Sequence, residues 1–174
     1  MPGNKQPIAT LHHLLNYDAG QFSSGEMQLK IILPEWVNKA TSQKLKDILA
    51  RYHDFVQQHA ERLGSYMESE GLISVSAGNK VINAFIEETE EKLASCADDE
   101  VRDACLLACI QEINHYKISI YGTAAAFSKS LGMEKQAQLF HDAEVNEKQI
   151  DDRLSQLAEF EINSKARTPI TILS

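Results

Sequence analysis

The sequence predicts an all-α protein whose mass lies mostly in four long helices. Three observations predict it. Helix-favouring Ala, Leu, Glu, Gln and Lys are plentiful, while Gly and Pro number only eight and four. Apolar residues return at helical spacing through four long segments. No alternating strand pattern, internal repeat or low-complexity tract is present. At 174 residues the chain is sized for one domain with its own core.

The first helix follows Leu11, Leu14, Leu15, Phe22, Leu29, Ile32, Leu33 and Trp36. Gly20 and the Ser23-Ser24-Gly25 run are poor helix formers inside it, so a bend, a weak stretch or a joint between two helices is expected. Pro34 is expected to kink its end. Thr41 or Ser42 can cap a second helix, whose seam runs Leu45, Ile48, Leu49, Tyr52, Phe55, Val56, His59, Leu63, Tyr66 and Met67 until Gly71 stops it. A polar connection, 74–80, leads to a short acidic helix over about 81–93, with Ile82, Phe85, Ile86 and Leu93 inward and the EETEEK face in solvent. Asp98 or Asp99 caps the next helix, which is apolar nearly all round and therefore central; it ends at Gly132. Its seam reads Val101, Ala104, Cys105, Ala108, Gln111, His115, Ile118 and Ser119, with Leu106, Leu107, Ile110 and Ile113 on its other faces. A last helix spans about 134–160 through Leu139, Phe140, Ala143, Glu147, Ile150, Leu154 and Leu157. The expected organisation is a flexible N-terminus over 1–9, a helical bundle over 10–162 and an irregular tail over 163–174. Four long helices with a short extra helix in one crossover of about 30 residues make a ferritin-like four-helix bundle.

Several functions are disfavoured by composition. A net charge of −8, from 17 basic and 25 acidic residues without a basic cluster, argues against nucleic-acid binding. No stretch has the length of a signal peptide or a membrane span, and a cytoplasmic location without a membrane partner is expected. Cys96, Cys105 and Cys109 show no CxxC spacing and read as small buried thiols. Phosphate loops, the GxSxG elbow and HExxH are absent, so no catalytic residue is assigned.

The seams themselves carry chemistry. Glu26, His59, His115 and Glu147 each sit on a helix face expected to be buried, one per long helix. A buried carboxylate is costly unless it is paired or bound to a cation, so these four suggest a metal cage, with Asp151 one turn beyond Glu147. Glu112 and His115 form a Glu-x-x-His pair of the kind di-iron bundles use, a motif acidic helices also produce by chance. Such a centre needs about four carboxylates and two His. The second helix instead offers Phe55 and Val56 one turn before His59, and the third long helix places Asn114 and Lys117 beside His115. Turned inward, Lys117 repels a metal; snorkelling outward, it is neutral to the question.

In these residues the chain resembles the YciE/YciF family of ferritin-like, stress-associated bacterial proteins. The resemblance rests on Glu26-Met27-Gln28-Leu29 with Leu33-Pro34, on Thr41-Ser42-Gln43-Lys44-Leu45-Lys46, on Arg62-Leu63, and on Val101-Arg102-Asp103-Ala104. It continues in His115-Tyr116 followed by Tyr121-Gly122-Thr123, in Leu131-Gly132, and in Glu147-Lys148-Gln149-Ile150-Asp151, covering 11–158. It implies a ferritin-like bundle, often a homodimer, with a two-metal site between the helices. Glu26, His115, Glu147 and Asp151 match polar positions of that pattern, and His59 stands where members carry Gln or His. Acidic family positions are Asn114 and Lys117 here, and the second helix reads Tyr52-His53-Asp54-Phe55-Val56 where the family has His-Leu-Glu-Glu-Thr. The expectation is therefore a non-enzymatic, stress-associated protein with a degenerate metal site that holds iron or no cofactor at all. The alternatives are a working di-iron, ferroxidase-like oxidase and a single-metal bundle holding zinc or manganese.

Overall fold

Apolar periodicity sets the order of the helices, and the alternation of two apolar layers along them sets their directions. The computed structural model describes residues 7–72 and 78–167. Helix α1 is Leu11–Lys39, α2 is Gln43–Ser69, α3 is Lys80–Ser95, α4 is Asp99–Ser130 and α5 is Glu134–Leu157. A π-helical turn, Ala158–Ile162, continues into a short α6, Asn163–Ala166. Among the described residues there is no strand, and the protein is a ferritin-like four-helix bundle of α1, α2, α4 and α5 with α3 in the crossover. No described helix is long and apolar enough to cross a membrane.

One apolar layer joins Leu29, Leu33 and Trp36 of α1 to Leu45, Leu49 and Val56 of α2, Leu106, Ile110 and Ile113 of α4, and Ile150 and Leu154 of α5. The other joins Leu15, Ala19 and Phe22, Leu63 and Tyr66, Tyr121 and Ala124, and Phe140 and Ala143. Reading along the chain, α1 and α5 run from the second layer to the first, and α2 and α4 run the other way. The pairs α1–α2 and α4–α5 are thus antiparallel, while α2 and α4 are parallel, which is why a long crossover is required between them.

The caps match the sequence. Ser42 accepts from Leu45 N at 3.4 Å, Asp98 accepts from Val101 N at 2.7 Å, and Gly71 and Gly132 take φ of 63° and 69° past the ends of α2 and α4. Buried Asp103 of α4 accepts from Thr41 N at 2.8 Å and Ser42 N at 2.7 Å, tying the α1–α2 turn to α4.

Helix α1 is continuous, without the expected joint. Gly25 is where α3 approaches: a Cβ there would stand 3.0 Å from Ile82 Cγ1 and 3.1 Å from Asn79 Nδ2. Asn79 caps α3 by accepting from Val81 N and Ile82 N at 3.0 Å, and donates to Gln21 O at 3.0 Å. Pro34 lies inside α1, and the Lys30 carbonyl its missing N–H leaves free accepts from His53 Nε2 at 3.1 Å. The last helix departs from α geometry at Ala158, and helical structure reaches Ala166, four residues into the tail expected to be irregular. Residues 1–6, 73–77 and 168–174, parts of the expected terminus, connection and tail, lie outside the described residues.

Candidate functional site

Between the two apolar layers each long helix contributes polar side chains at one level. Glu26 comes from α1, His59 from α2, Asn114 and Lys117 from α4 and Glu147 from α5, all buried. The helices place them by periodicity. Phe22 and Leu29 flank Glu26, Val56 and Leu63 flank His59, and Ala143 and Ile150 flank Glu147 at three to four residues, so burying the apolar residues forces the polar ones inward.

Lys117 is the centre of the layer. Its Nζ lies 2.9 Å from Glu26 Oε1, 2.5 Å from Glu147 Oε1 and 3.2 Å from the Tyr52 hydroxyl, and donates to Glu26 Oε2 at 3.0 Å. Tyr121 donates a short hydrogen bond to Glu26 Oε1, and Asn114 Nδ2 donates to Glu147 Oε2 at 2.7 Å. The Lys117 ammonium also sits 4.9 Å from the Tyr52 ring centroid. His59 Nδ1 is 3.4 Å from Glu26 Oε1 and 3.6 Å from Glu147 Oε1, too long or misaligned to count as hydrogen bonds. Asn146 Nδ2 stands 3.2 Å from His59 Nε2; with the amide so placed Nε2 accepts, and the ring proton is on Nδ1, between the two carboxylates.

The electrostatics follow from burial and the ammonium. Burial disfavours ionised Glu26, but Lys117, with His59 and the Tyr121 hydroxyl, outweighs it and holds the carboxyl below its ordinary range. Burial likewise disfavours the Lys117 ammonium, and Glu147 and Glu26 outweigh it, raising its pKa. Burial and the neighbouring carboxylates push Tyr52 and Tyr121 well up, so both are neutral phenols.

Glu26, His59 and Glu147 each offer a ligand atom within 4.8 Å of the others, and this trio could hold a metal ion. The residues do not fit a two-metal centre. Such a centre takes about four carboxylates and two His, whereas this layer supplies two carboxylates, one His and a lysine ammonium between the carboxylates. Its contacts to the two carboxylates, at 2.5–3.0 Å, are close ion pairs, and the one to Glu26 Oε2 is a charge-assisted hydrogen bond. His59 Nδ1, Asn114 Oδ1 and Glu147 Oε1 lack well-aligned hydrogen-bond partners, so the layer is not fully satisfied by its own side chains.

Two of the five expected ligands stand elsewhere. His115 has a side-chain exposure of 68% and pairs with Asp151, at 19%, by a 3.0 Å contact on the outside of α4 and α5. Glu112 is exposed as well. The seam expected to face inward on α4, from Val101 through Ala108 and His115 to Ser119, is largely its outer face. The buried face is Asp103, Leu107, Ile110, Asn114, Lys117 and Tyr121. The inward side chains that the ligand pattern missed are thus Asn114, Lys117, Tyr52 and Tyr121. Their signal was the i, i+3, i+7 spacing of Asn114, Lys117 and Tyr121 in phase with Ile110.

The comparisons with known proteins agree with this architecture. A family model described as a domain of unknown function, DUF892, matches residues 10–167. Protein YciF of Escherichia coli strain K12 is 33% identical over 144 residues, covering 82% of this chain and 87% of its own. The crystal structure of that E. coli stress protein superposes with a TM-score of 0.82 at 28% identity, over 92% of this chain and 99% of that one. YcfI of Rhodopseudomonas palustris, for which a structural role has been suggested, also reaches a TM-score of 0.82, at 26% identity over 87% of this chain and 96% of its own. The chain belongs to the DUF892 family and is a YciF-like protein.

Proposed function

We propose that this protein is a non-enzymatic, stress-associated structural protein in which the Lys117 ammonium takes the place of metal between the helices. The observation that carries the reading is Lys117 Nζ within 3.0 Å of both Glu26 and Glu147 at full burial. A resident cation offsets carboxylate charge that would otherwise call for a bound ion, and it needs no loading. The description of YciF as a stress protein and the structural role suggested for YcfI support the same reading. The protein acts as a homodimer in the cytoplasm in this reading, with no nucleic-acid or membrane partner.

Elemental analysis of protein purified after iron supplementation tests it. The expected result is substoichiometric metal and no absorbance change on aerobic addition of ferrous iron. Near two irons per chain with such a change would establish the di-iron, ferroxidase-like alternative. One observation favours a second reading, a single-metal site: Glu26, His59 and Glu147 already converge within 4.8 Å. About one metal per chain, lost in Glu147→Ala, would establish it over the first.

A further inference from the structure

The outside of the bundle departs from the sequence expectation in two places. Of the three free thiols expected to be buried, only Cys109 is; Cys96 and Cys105 are partly exposed. Helix α1, expected to carry one apolar seam, carries a second one facing outward. Tyr17, Met27 and Ile31 are 52%, 48% and 69% exposed, and they are three of the seven large apolar side chains exposed among the described residues. At about 100° per residue they fall within roughly 80° of one another, on the side of α1 opposite buried Leu15, Phe22, Leu29 and Leu33.

From Tyr17 to Ile31, about 21 Å, this line passes only Gly20, Ser24 and Met27 and meets no charged side chain. The outward faces of α2 and α5 are the opposite. Asp47, Arg51, Asp54 and Glu61 stand exposed along α2, and Lys135, Lys148 and Asp152 along α5. The outward face of α4 is sparsely charged, but its exposed apolar side chains past Val101 are only Ala108 and Ala126, which leave little to bury.

The pattern of the α1 seam says what covers it. Its residues are spaced symmetrically about Ser24: Tyr17 lies seven before and Ile31 seven after, His13 eleven before and Glu35 eleven after. When two copies of α1 lie antiparallel across a two-fold axis at Ser24, each Tyr17 meets the partner's Ile31 and each His13 meets the partner's Glu35. A parallel pairing would instead set Glu35 against the partner's Glu35. Gly20 and Ser24 are small, so the backbones can approach as packed helices do, at about 8–10 Å. The end pairs match in hydrogen bonding too. His13 Nδ1 accepts from Ala9 N at 3.4 Å, which leaves the ring proton on Nε2 to be donated to a carboxylate. Charge favours the same face, because two copies at −8 each repel and here they close with no like-charged side chains between them.

We propose that the outward seam of α1, centred on Ser24, is the surface on which a second copy of this chain docks antiparallel. This rests on the homodimer of the reading above and names its interface. A stable interface buries roughly 1,200–2,000 Å² in total, so the seam is its apolar centre and the polar side chains beside it are the rim.

Light scattering over a dilution series measures the dimer, and variants locate it. The wild type is expected to be dimeric. Ile31→Glu and Tyr17→Asp, at exposed positions, should each raise the dimer Kd at least about tenfold with helical circular dichroism unchanged. Ala50→Glu, on the exposed face of α2, should change it less than about twofold. His13→Cys protein mixed with Glu35→Cys protein and treated with a short bismaleimide should give a linked peptide joining positions 13 and 35 of two chains. The wild type controls for the native thiols. A dimer that survives both α1 substitutions, or one that Ala50→Glu weakens equally, would overturn this surface and leave the homodimer standing. Self-linking of either cysteine variant alone would overturn the antiparallel arrangement. A wild type that is monomeric throughout the dilution series would overturn the homodimer and its interface together.

Discussion

Lys117 illustrates how one side chain can be forced by its neighbours and still be hard to read. Removing its ammonium leaves Glu26 and Glu147 facing each other in the core, and breaking a buried ion pair costs about 3–5 kcal/mol. Lys117→Met is therefore expected to lower Tm by about 6–20 °C at neutral pH. The deficit should shrink as pH is lowered towards 5, because a proton shared by the two carboxyls replaces the missing cation. A Lys117→Met protein with unchanged Tm would show that the carboxylates are satisfied in some other way. Glu26, His59 and Glu147 were legible in the sequence because each interrupts a one-sided apolar stripe. Lys117 was not, because α4 is apolar nearly all round and its phase about the helix axis is poorly defined by composition. The same ambiguity moved His115 to the surface, and it put the familiar Glu-x-x-His spacing on the wrong face.

At the scale of elements, positions that look like defects in isolation have partners in the fold. Gly20 and Gly25 both suggested a break in α1, yet they differ in what stands opposite. A Cβ at Gly20 would make an ordinary contact, 3.7 Å from Met67 Cε, so Gly20→Ala should stabilise by about 1 kcal/mol through helix propensity, raising Tm by roughly 2–4 °C. A Cβ at Gly25 would press on Ile82 and on Asn79, whose amide is locked by the cap of α3. Overpacking costs about 1–3 kcal/mol, so Gly25→Ala should be neutral to destabilising by about 2 kcal/mol despite the same propensity gain. Calorimetry of the two variants checks the contrast; an equal gain from both would mean that α3 does not bear on Gly25. Pro34 shows the same logic, since its cost to α1 is offset by His53 donating to the freed Lys30 carbonyl. Helix number and caps were legible because they depend on local sequence, whereas the continuity of α1 depends on α2 and α3 and could not be read from α1 alone.

For the whole molecule, a charged layer between two apolar layers ties stability to pH in both directions. Glu26 titrates below its ordinary value of 4.5, so its contribution is complete above that value and is lost as pH falls through the lowered folded value. Glu90 is also lowered; burial opposes ionisation there, and the Lys39 and Trp36 side chains outweigh it, so it adds to the same acid limb. Half-buried Asp18, raised by burial, works weakly the other way. Lys117 titrates above its ordinary 10.5, so its contribution is complete below that value and is lost as pH rises through the raised folded value. Tyr52 and Tyr121, raised by burial and the carboxylates, add to the alkaline loss because the unfolded chain ionises them first. The expected profile is a Tm plateau between about pH 5 and 10 with a decline on each side. Scanning calorimetry across that range measures it, and Glu26→Gln supplies the control: its plateau should be lower and its acid limb shallower. An acid limb equally steep in Glu26→Gln would assign acid unfolding to surface carboxylates and remove the charged layer from the account of how this bundle responds to pH.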